Sequence, residues 1–456
     1  MKKLLISIFL ITTLFLICNF QVQAKEYKIL LNEDVNKNDK NHFLEKYKIK
    51  ENPIDYYTIN TDNESDLKNE KVIKQFSNNS DMTFVKPSSS IPRNSNNKSE
   101  KSNQRNINYT SSDLWDKQWD VKKVTNNGHS FSKYKPSDRT TIAVIDSGID
   151  KNHIELKGSI KEGSKNFVPK GGYNGEEKDE DGNPNNVQDK TGHGTAVASQ
   201  ISANKNIKGV APGLKVRSYR VFGQKSAKAD WITNAIIQAA DDNNDVINLS
   251  TGQYLMKNGS YKNGGNDNID IKAYNRAINY AFKKGTVVVS ALGNDGLNIN
   301  SQKQMSKHLS ELISPKDSII KKGKVYDYPS QNKKVISVGG TDYNDNLSDF
   351  SNHGKNSFDI LSPAGSTRNL NKVGLNKFQQ NKYYEKDWIF VATPNDTYQY
   401  VYGNSFAAPK VSATLGLIID KYHYKNHPNK SINHLLRNNN DNAILNVDNN
   451  LSDSCN

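Results

Sequence analysis

Five short runs of β-branched and apolar residues constrain the fold of this chain more than any other feature. They lie between residues 114 and 420, and helical patterns such as those at 231–240 and 273–282 separate several of them. Apolar strands that alternate with helices are typical of a parallel sheet with helices on both faces, because each strand is then buried on two sides. The sequence therefore predicts an α/β domain over residues 110–440. Its predicted strands are 141–145, 216–221, 246–249, 286–289 and 335–338.

Polar segments interrupt and follow this pattern. Three insertions predict surface loops, because connecting segments with many polar groups are normally solvated. The predicted loops are 161–189, 253–270 and 297–325. Residues 441–456 predict a polar tail without a visible wall-anchoring signal, so we expect a released protein.

The first 24 residues have the composition of a secretory signal. Lys2 and Lys3 precede an apolar run that reaches Cys18, and residues 22–24 supply the small side chains that signal peptidase prefers. We therefore expect cleavage after Ala24 and export of the remaining chain. No second apolar run is long enough to cross a bilayer, so we expect no stable membrane insertion.

Residues 25 to about 88 predict a small α+β module in front of the main domain. Its predicted elements are strands at 27–31, 54–59 and 82–85, a helix around Phe43 and Tyr47, and a second helix at 72–76. Residues 87–112 are rich in Ser, Asn, Lys and Pro, and predict an exposed linker that proteases can reach.

Cysteine content and charge narrow the class of protein. The chain has 456 residues and two cysteines, and Cys18 lies in the signal, so Cys455 alone cannot form an internal disulfide. A secreted domain of this size must then rely on its core, which fits a bacterial exported protein. The formal net charge is +14. Without the interleaved aromatic and arginine residues of a nucleic-acid groove, this charge favours a solvated lysine-rich surface, and no nucleic-acid partner is expected.

The stretch Gly403-Asn404-Ser405-Phe406-Ala407-Ala408-Pro409 predicts a sharp turn from a strand into a helix. Val411, Leu415 and Ile418 recur after it at roughly helical spacing, and proline is tolerated in a first helical turn. Ser405 would then lie at a helix N-terminus. Two interpretations stand side by side, a nucleophilic serine and an ordinary turn.

An aspartate and a histidine earlier in the chain favour the nucleophile. Asp146 ends the first predicted strand, where α/β sheets place their sites, and His193 lies between glycines at the start of an alanine-rich helix. Each alone is compatible with a turn or a structural residue. Together they complete a chemical set, because imidazole takes the proton of a serine hydroxyl and a buried carboxylate orients the imidazole.

The three stretches 145–150, 192–198 and 403–409, in the order Asp146, His193, Ser405, resemble the motifs of subtilisin-like serine peptidases. The resemblance covers roughly residues 110–430. It implies a parallel sheet covered by helices, and peptide hydrolysis through an acyl-enzyme that needs no cofactor for its chemistry.

The resemblance also implies roles for residues that spacing does not identify. Asn294, within Ala291-Leu292-Gly293-Asn294-Asp295-Gly296, would donate its side-chain amide to the oxyanion. Ser250, Thr251 and Gly252 would bind the substrate as an added strand. One departure is Asn404, where the family usually has threonine.

By the same resemblance, residues 25–100 would be a propeptide that assists folding, inhibits the cleft and is removed by cleavage in the linker. The alternative is a permanent binding module. The expected product is a monomeric extracellular enzyme.

Two acidic features bear on the substrate. Asp295 resembles a residue at the rim of the first specificity pocket and would favour Lys or Arg before the scissile bond. The segment 176–181 (Glu-Glu-Lys-Asp-Glu-Asp) would contact basic substrate residues, bind a structural calcium, or remain a solvated acidic loop.

Four further stretches, 117–120, 219–223, 293–296 and 418–423, resemble a narrower group, the lantibiotic leader peptidases of Gram-positive bacteria. That resemblance implies removal of a leader from a peptide-antibiotic precursor after a basic residue. The alternatives are a general degradative protease and a non-catalytic binding protein on the same fold.

Overall fold

The computed structural model describes residues 25–78, 86–87, 111–439 and 443–452. The predicted signal, the strand at 82–85 and the linker from 88 to 110 lie outside these residues. The chain forms two units, Met1–Ser80 and Asp81–Asn456. Within the described ranges, the helices are too short or too polar to cross a membrane.

The N-terminal unit is an α+β layer, as predicted. Its antiparallel sheet has the spatial strand order Tyr56–Thr61, Lys25–Leu31, Ile73–Asn78, and its helices are Lys37–Tyr47 and Glu64–Asn69. The packed interior consists of aliphatic and aromatic side chains from the central strand, the strand Tyr56–Thr61 and both helices, namely Tyr27, Ile29, Leu31, Phe43, Tyr57, Ile59 and Leu67.

The prediction of a helix at 72–76 is wrong, because this segment belongs to the strand Ile73–Asn78. Ile73 pairs with Leu31 and Gln75 pairs with Leu30, so the register shifts there by one residue. A β-bulge of this kind inserts an extra residue and changes the two-residue period of a strand. Ile73 and Phe76 therefore both pack against the core although they are three residues apart, which is a helical spacing.

The larger unit is built on a seven-stranded sheet in which all neighbouring strands are parallel. This confirms the predicted fold class and all five predicted strands. From one edge to the other, the strands are Ile360–Pro363, Val335–Thr341, Val287–Ala291, Val246–Leu249, Thr141–Asp146, Lys215–Arg220 and Lys165–Asn166.

Two pairs of helices pack against this sheet. The serine helix, Ala408–Tyr422, contacts the histidine helix, His193–Ser202, and the central strands, while Ala229–Asp241 packs on Asn268–Lys283. The serine helix is buried continuously from Ala408 to Asp420. The other helices of this unit are Ser111–Asp116, Trp119–Val124, Ser130–Lys133, Gln302–Leu312, Arg368–Gln380, Tyr384–Asp387, Pro428–Arg437 and Val447–Asn450.

Two of the three predicted surface loops are wrong. Within 253–270 and 297–325 the chain forms the strand Thr251–Lys257, which pairs with Lys324–Tyr328, and the helix Gln302–Leu312. The few apolar side chains of these elements pack together and form a small hydrophobic core of their own. This core includes Tyr254, Met256, Tyr261, Leu292, Met305, Leu309 and Val325.

The remaining short elements of the larger unit are peripheral to the main sheet. The third predicted loop, 161–189, is mostly irregular and contains only the strand Lys165–Asn166 and a 3-10 turn. Two short antiparallel pairs complete the structure, Ser260–Tyr261 with Ile319–Lys321 and Ile389–Thr393 with Thr397–Val401. The 3-10 turns of this unit are Tyr173–Gly175, Pro315–Asp317 and Asn404–Phe406.

Candidate active site

Asp146 and His193 form a buried hydrogen-bonded pair. Asp146 is the last residue of the strand Thr141–Asp146, and His193 is the first residue of the histidine helix. The imidazole Nδ1 lies 2.7 Å from Asp146 Oδ1, and both side chains are at most 3% exposed. A carboxylate in this position holds the imidazole in one orientation and leaves Nε2 to act as a base.

A glycine allows the histidine helix to approach the end of the strand. A Cβ placed on Gly194 would lie 2.0 Å from the Gly148 carbonyl oxygen and 3.2 Å from Asp146 Cβ. Any side chain there would separate the base from its carboxylate. The glycine after His193 is therefore required by packing at the pair itself.

Asp189, which sequence reasoning missed, organises the same corner. Its buried carboxylate accepts hydrogen bonds from Ser147 Oγ at 2.9 Å and from the backbone N–H groups of Gly192 and Thr195 at 2.8 and 2.9 Å. Burial raises the pKa of Asp189. The residue joins the strand end to the start of the histidine helix, and its place four residues before His193 was the one available signal.

Ser405 lies in the 3-10 turn Asn404–Phe406, directly before the serine helix. Gly403 precedes it with φ of 135°, a conformation that favours glycine. The turn predicted from the sequence is therefore present, and Ser405 is fully buried.

The Ser405 hydroxyl points to the predicted substrate edge. It donates to the Ser250 carbonyl at 3.1 Å, and Ser250 Oγ donates to the Ser405 carbonyl at 2.8 Å. His193 Nε2 is buried and has no hydrogen-bond partner among the described residues. The structure thus brings the three predicted residues to one place without a serine–histidine hydrogen bond, and such bonds commonly tighten only with substrate.

Asn294 is oriented as an oxyanion donor should be. It follows the strand Val287–Ala291, and its Oδ1 accepts a hydrogen bond from the backbone N–H of Asn404 at 2.9 Å. This bond fixes which end of the amide is the acceptor. The Nδ2 atom is buried and has no partner among the described residues, so it is available to a developing negative charge.

Asn404 links the serine turn to the oxyanion segment. Its Nδ2 lies within hydrogen-bond distance of the carbonyl oxygens of Leu292 at 3.2 Å and Gly293 at 3.0 Å, and of Ser351 Oγ at 3.1 Å. The departure from the family's usual threonine therefore introduces contacts that only a longer amide can make.

The predicted substrate edge carries a short strand of the same chain. Lys86 and Pro87 pair antiparallel with Gly252 and Thr251, respectively. Ser250 lies at the near end of this edge, in contact with Ser405. An extended segment is therefore accepted at the place where a substrate strand is expected.

Asp295 lies at an open position beside this edge, with a side chain that is 40% exposed. The hydroxyl of Tyr254 donates to Asp295 Oδ2 at 2.5 Å, and His308 Nε2 lies 3.5 Å from Asp295 Oδ1. Asp295 is thus within a polar cluster on the rim of the site.

The acidic segment 176–181 is largely used for internal contacts. Glu180 is buried against Arg220, with two contacts of 2.8 and 2.6 Å, and against Lys190 at 2.9 Å. Burial opposes its ionisation, but the two cations prevail and lower the pKa of Glu180. Glu177 accepts hydrogen bonds from the backbone N–H groups of Tyr173 and Lys225. Of the carboxylates in this segment, those of Glu176, Asp179 and Asp181 remain exposed.

No group of three or more His, Cys, Asp or Glu side chains in the described ranges is arranged to hold a metal ion. The structural calcium stays a prediction, with the exposed carboxylates Asp179 and Asp181 as the candidates that remain in the segment.

Known proteins resemble this chain in sequence and in structure. The chain is 52% identical over 343 residues to the nisin leader peptide-processing serine protease NisP of Lactococcus lactis subsp. lactis. The aligned region covers 74% of this chain and 49% of NisP. It is 43% identical over 324 residues to the epidermin leader peptide-processing serine protease EpiP of Staphylococcus epidermidis, over 71% of this chain and 68% of that protein. The chain therefore spans about half the length of NisP.

Solved structures give the same result. The crystal structure of NisP matches with a TM-score of 0.71 at 51% identity, over 74% of this chain and 94% of that one. EpiP of Staphylococcus aureus matches with a TM-score of 0.80 at 34% identity, over 94% of this chain and 98% of that one.

The sequence model of the peptidase S8 subtilase family matches residues 137–454. On the motifs, the fold and these matches, the chain belongs to the subtilase family.

Proposed function

We propose that the protein is a secreted serine endopeptidase that removes the leader from a lantibiotic-type precursor peptide after a basic residue. The observation that carries the catalytic part is the buried Asp146–His193 pair beside Ser405 and the unpaired amide of Asn294. The leader-processing part is supported by the relatives, which are named as proteases of this kind.

The geometry supports a two-step reaction. The substrate adds as a strand along Ser250, Thr251 and Gly252. Ser405 Oγ attacks the scissile carbonyl carbon while His193 Nε2 accepts its proton, and the imidazolium is stabilised by Asp146. The protonated imidazole then gives this proton to the leaving amine, and water releases the acyl group by the same route.

The oxyanion of the tetrahedral intermediate is stabilised by two donors. Asn294 Nδ2 is one, and the backbone N–H of Ser405 is the other. Because the Asn294 amide is already oriented by its bond from Asn404, little reorganisation is needed when the charge develops.

Residues 25–100 are proposed to be a propeptide, so that the protein is made as a monomeric, exported zymogen. The pairing of Lys86 and Pro87 with the substrate edge supports this, since a strand in that position competes with substrate. The proposed maturation site lies in the linker at 87–112.

The test is a cleavage profile of the matured protein on a peptide library and on a lantibiotic precursor, with the Ser405→Ala variant as the control. We expect cuts after Arg or Lys in a narrow sequence context, and none with the variant. Broad cleavage after large apolar residues would contradict the leader-processing role and favour a general degradative protease.

A second measurement addresses the chemistry alone. A fluorophosphonate probe should label Ser405 in the folded, matured protein. Absence of labelling would contradict the endopeptidase proposal and favour a non-catalytic binding protein.

A further inference from the structure

A group of exposed lysines lies at the far end of the strand that begins at the predicted substrate edge. The lysine tip, defined as residues 257–262 and 318–324, contains five lysines and no aspartate or glutamate. All five side chains are exposed, namely Lys257, Lys262, Lys321, Lys322 and Lys324. Across the described ranges, none of the five forms an ion pair with a carboxylate. Their charges are therefore neutralised only by solvent and counter-ions.

Strand pairing places two of these lysines directly opposite each other. Lys257 is the antiparallel partner of Lys324. Opposite residues of an antiparallel pair share one face of the sheet, and like charges there are destabilising. The Nζ atom of Lys324 lies 5.1 Å from the centre of the Tyr326 ring, which does not cancel the repulsion. The fold thus retains a like-charge pair that costs it stability.

A second pair of strands brings the other lysines to the same place. Ser260–Tyr261 pairs antiparallel with Ile319–Lys321, and Lys322 follows that strand directly. The backbone N–H of Lys262 donates to the Ser318 carbonyl at 2.9 Å. The two segments of the lysine tip are therefore joined by main-chain hydrogen bonds into one positively charged surface.

The carboxylates closest to the lysine tip in the sequence leave it positive. Asp267 and Asp327 are buried and accept hydrogen bonds from backbone N–H groups, those of Met256 and Gly293 respectively, at 2.7 and 2.8 Å. Asp317 is partly exposed, but it is one carboxylate beside five ammonium groups. A surface of this kind attracts anions.

An exposed isoleucine lies among the lysines. Ile320 is 66% exposed, whereas the other open large apolar side chains of the described ranges are at most 44% exposed. Its neighbour Ile319 packs against the small core that includes Tyr254 and Met256. Successive side chains of a strand face opposite sides, so Ile320 faces away from that core. Apolar surface left in water is unfavourable until a partner covers it.

A bilayer that contains anionic phospholipids supplies both contacts that the lysine tip lacks. Its phosphate groups attract ammonium groups, and the boundary between headgroups and acyl chains takes up an apolar side chain. A second copy of this chain fits the tip less well, because each copy carries a formal net charge of +14 and like charges repel.

We propose that the lysine tip docks the protein on the anionic phospholipid surface of a membrane, with Ile320 entering the interface and the lysines contacting the headgroups. This inference goes beyond the proposed function and does not depend on it. Five steps of about 3.4 Å along the strand Thr251–Lys257 place Lys257 about 17 Å from Gly252. Docking therefore holds the substrate edge close to the membrane, where an exported precursor becomes accessible.

The test is sedimentation of the protein with lipid vesicles. Secreted Ser405→Ala protein avoids self-digestion, and its docking does not require catalysis, so a failure here leaves the endopeptidase proposal untouched. We expect binding to vesicles of phosphatidylcholine with phosphatidylglycerol, and none to phosphatidylcholine alone. Binding should largely disappear between about 0.1 M and 1 M salt, because the screening length falls from about 10 Å to about 3 Å. Equal binding to the two kinds of vesicle would overturn the proposal.

The lysines are tested together in the variant Lys321→Gln/Lys322→Gln/Lys324→Gln. Each lysine near an anionic bilayer contributes about 5-fold to the affinity, so this variant should bind the anionic vesicles about 100-fold more weakly.

The matched control removes the same charge from scattered positions. Lys157, Lys372 and Lys430 are exposed and belong to three separate segments. The variant Lys157→Gln/Lys372→Gln/Lys430→Gln should lose less than about 5-fold in affinity, because these lysines lie away from the docking surface. An equal loss in the two triple variants would overturn the proposal, since net charge alone would then explain binding.

Ile320→Ser tests the apolar contact at constant charge. Each methylene group that enters the interface contributes about 4-fold, so we expect this variant to bind about 10-fold more weakly. Leu375→Ser is its control, because Leu375 is 40% exposed on the helix Arg368–Gln380, and it should keep the parent affinity. Parent affinity in Ile320→Ser would overturn docking on a bilayer and would favour a soluble polyanion or an acidic protein as the partner of the lysines.

Discussion

The amide of Asn294 shows how a single residue can be prepared for a charge that is not yet present. Its oxygen accepts a hydrogen bond from the Asn404 backbone N–H, and its buried nitrogen has no partner among the described residues, so in the proposed mechanism this nitrogen would donate to the oxyanion. An interaction made only in the transition state lowers kcat when it is lost and leaves KM nearly unchanged.

We therefore predict that Asn294→Ala lowers kcat by about 10²–10³-fold, the range known for this donor in subtilisin. The check is steady-state kinetics on an arginine substrate. Equal losses in kcat and in the affinity for substrate would contradict the role, because ground-state binding would then be affected.

Asn404 is a positioning residue at the same scale. Its side-chain Nδ2 lies within hydrogen-bond distance of the carbonyl oxygens of Leu292 and Gly293, which connects the serine turn to the segment before Asn294. We predict that Asn404→Ala lowers kcat by about 10-fold, since small displacements of catalytic groups are costly.

The readout that distinguishes positioning from folding is the split between kcat and KM in Asn404→Ala at a temperature well below its melting point. A variant with wild-type kcat and a lowered Tm would show that Asn404 is merely structural. Asn404→Gln keeps the amide but makes the side chain one methylene longer, so its kcat shows whether the position of the amide donor matters.

At the scale of elements, a buried ion pair joins the serine helix to a helix at the start of the larger unit. Lys410 of the serine helix and Asp120 of the helix Trp119–Val124 are fully buried, with Nζ 2.8 Å from Oδ2. Lys410 Nζ also donates to the carbonyls of Phe406 and Pro363. Burial lowers the pKa of Lys410, and Asp120 opposes that shift. The pair therefore stabilises the position of the turn Asn404–Phe406, which contains Ser405.

Removing one partner of such a pair leaves an uncompensated buried charge. We predict that Lys410→Met destabilises the protein by about 3–5 kcal/mol, and that the double variant Asp120→Leu/Lys410→Met regains part of this loss. Urea unfolding in the Ser405→Ala background, which avoids self-digestion, measures both. The exposed Lys430→Met should change the free energy of unfolding by less than about 0.5 kcal/mol. A double variant as unstable as the single one would contradict the ion-pair explanation.

At the scale of the whole molecule, one chain supplies both the predicted substrate edge and a short strand that pairs with it. Lys86–Pro87 pairs with Thr251 and Gly252, and a proteolytic product at that edge is bound by the same main-chain hydrogen bonds as a substrate. Activity should therefore depend on release of the N-terminal segment.

We predict that full-length Ser405→Ala protein accumulates uncut, and that the wild-type protein is converted to a fragment whose N-terminus lies within 88–112. N-terminal sequencing and mass measurement of the secreted protein test this. Identical processing of the two proteins would show that another protease performs the maturation. If the uncut variant is cleaved when active wild-type enzyme is added, one molecule can process another.

Local chemistry made the main elements of this protein predictable from its sequence. The five strands are continuous β-branched runs, and the turn at Gly403 to Pro409 combines a glycine, small residues and a proline within seven positions. Asp146, His193 and Ser405 each lie in a local motif of their own, so they could be selected as a candidate triad although they are far apart in the sequence. Asn294 was found through resemblance alone, since its isolated sequence is that of a turn.

The remaining features depend on contacts between distant residues and were decided by the tertiary structure. A bulge against Leu31 makes the segment 73–78 a strand despite its helical spacing. The mostly polar stretches 253–270 and 297–325 form strands and a helix, because their apolar side chains pack against each other in one shared core. For the segment that contains Glu180, substrate contact, calcium binding and a solvated loop were all left open, and the structure pairs Glu180 with Arg220, 40 residues away. Local sequence determined which residues are predicted to carry the chemistry, and folding decided which carboxylates are buried and paired, because burial and charge pairing exist only once distant strands are side by side.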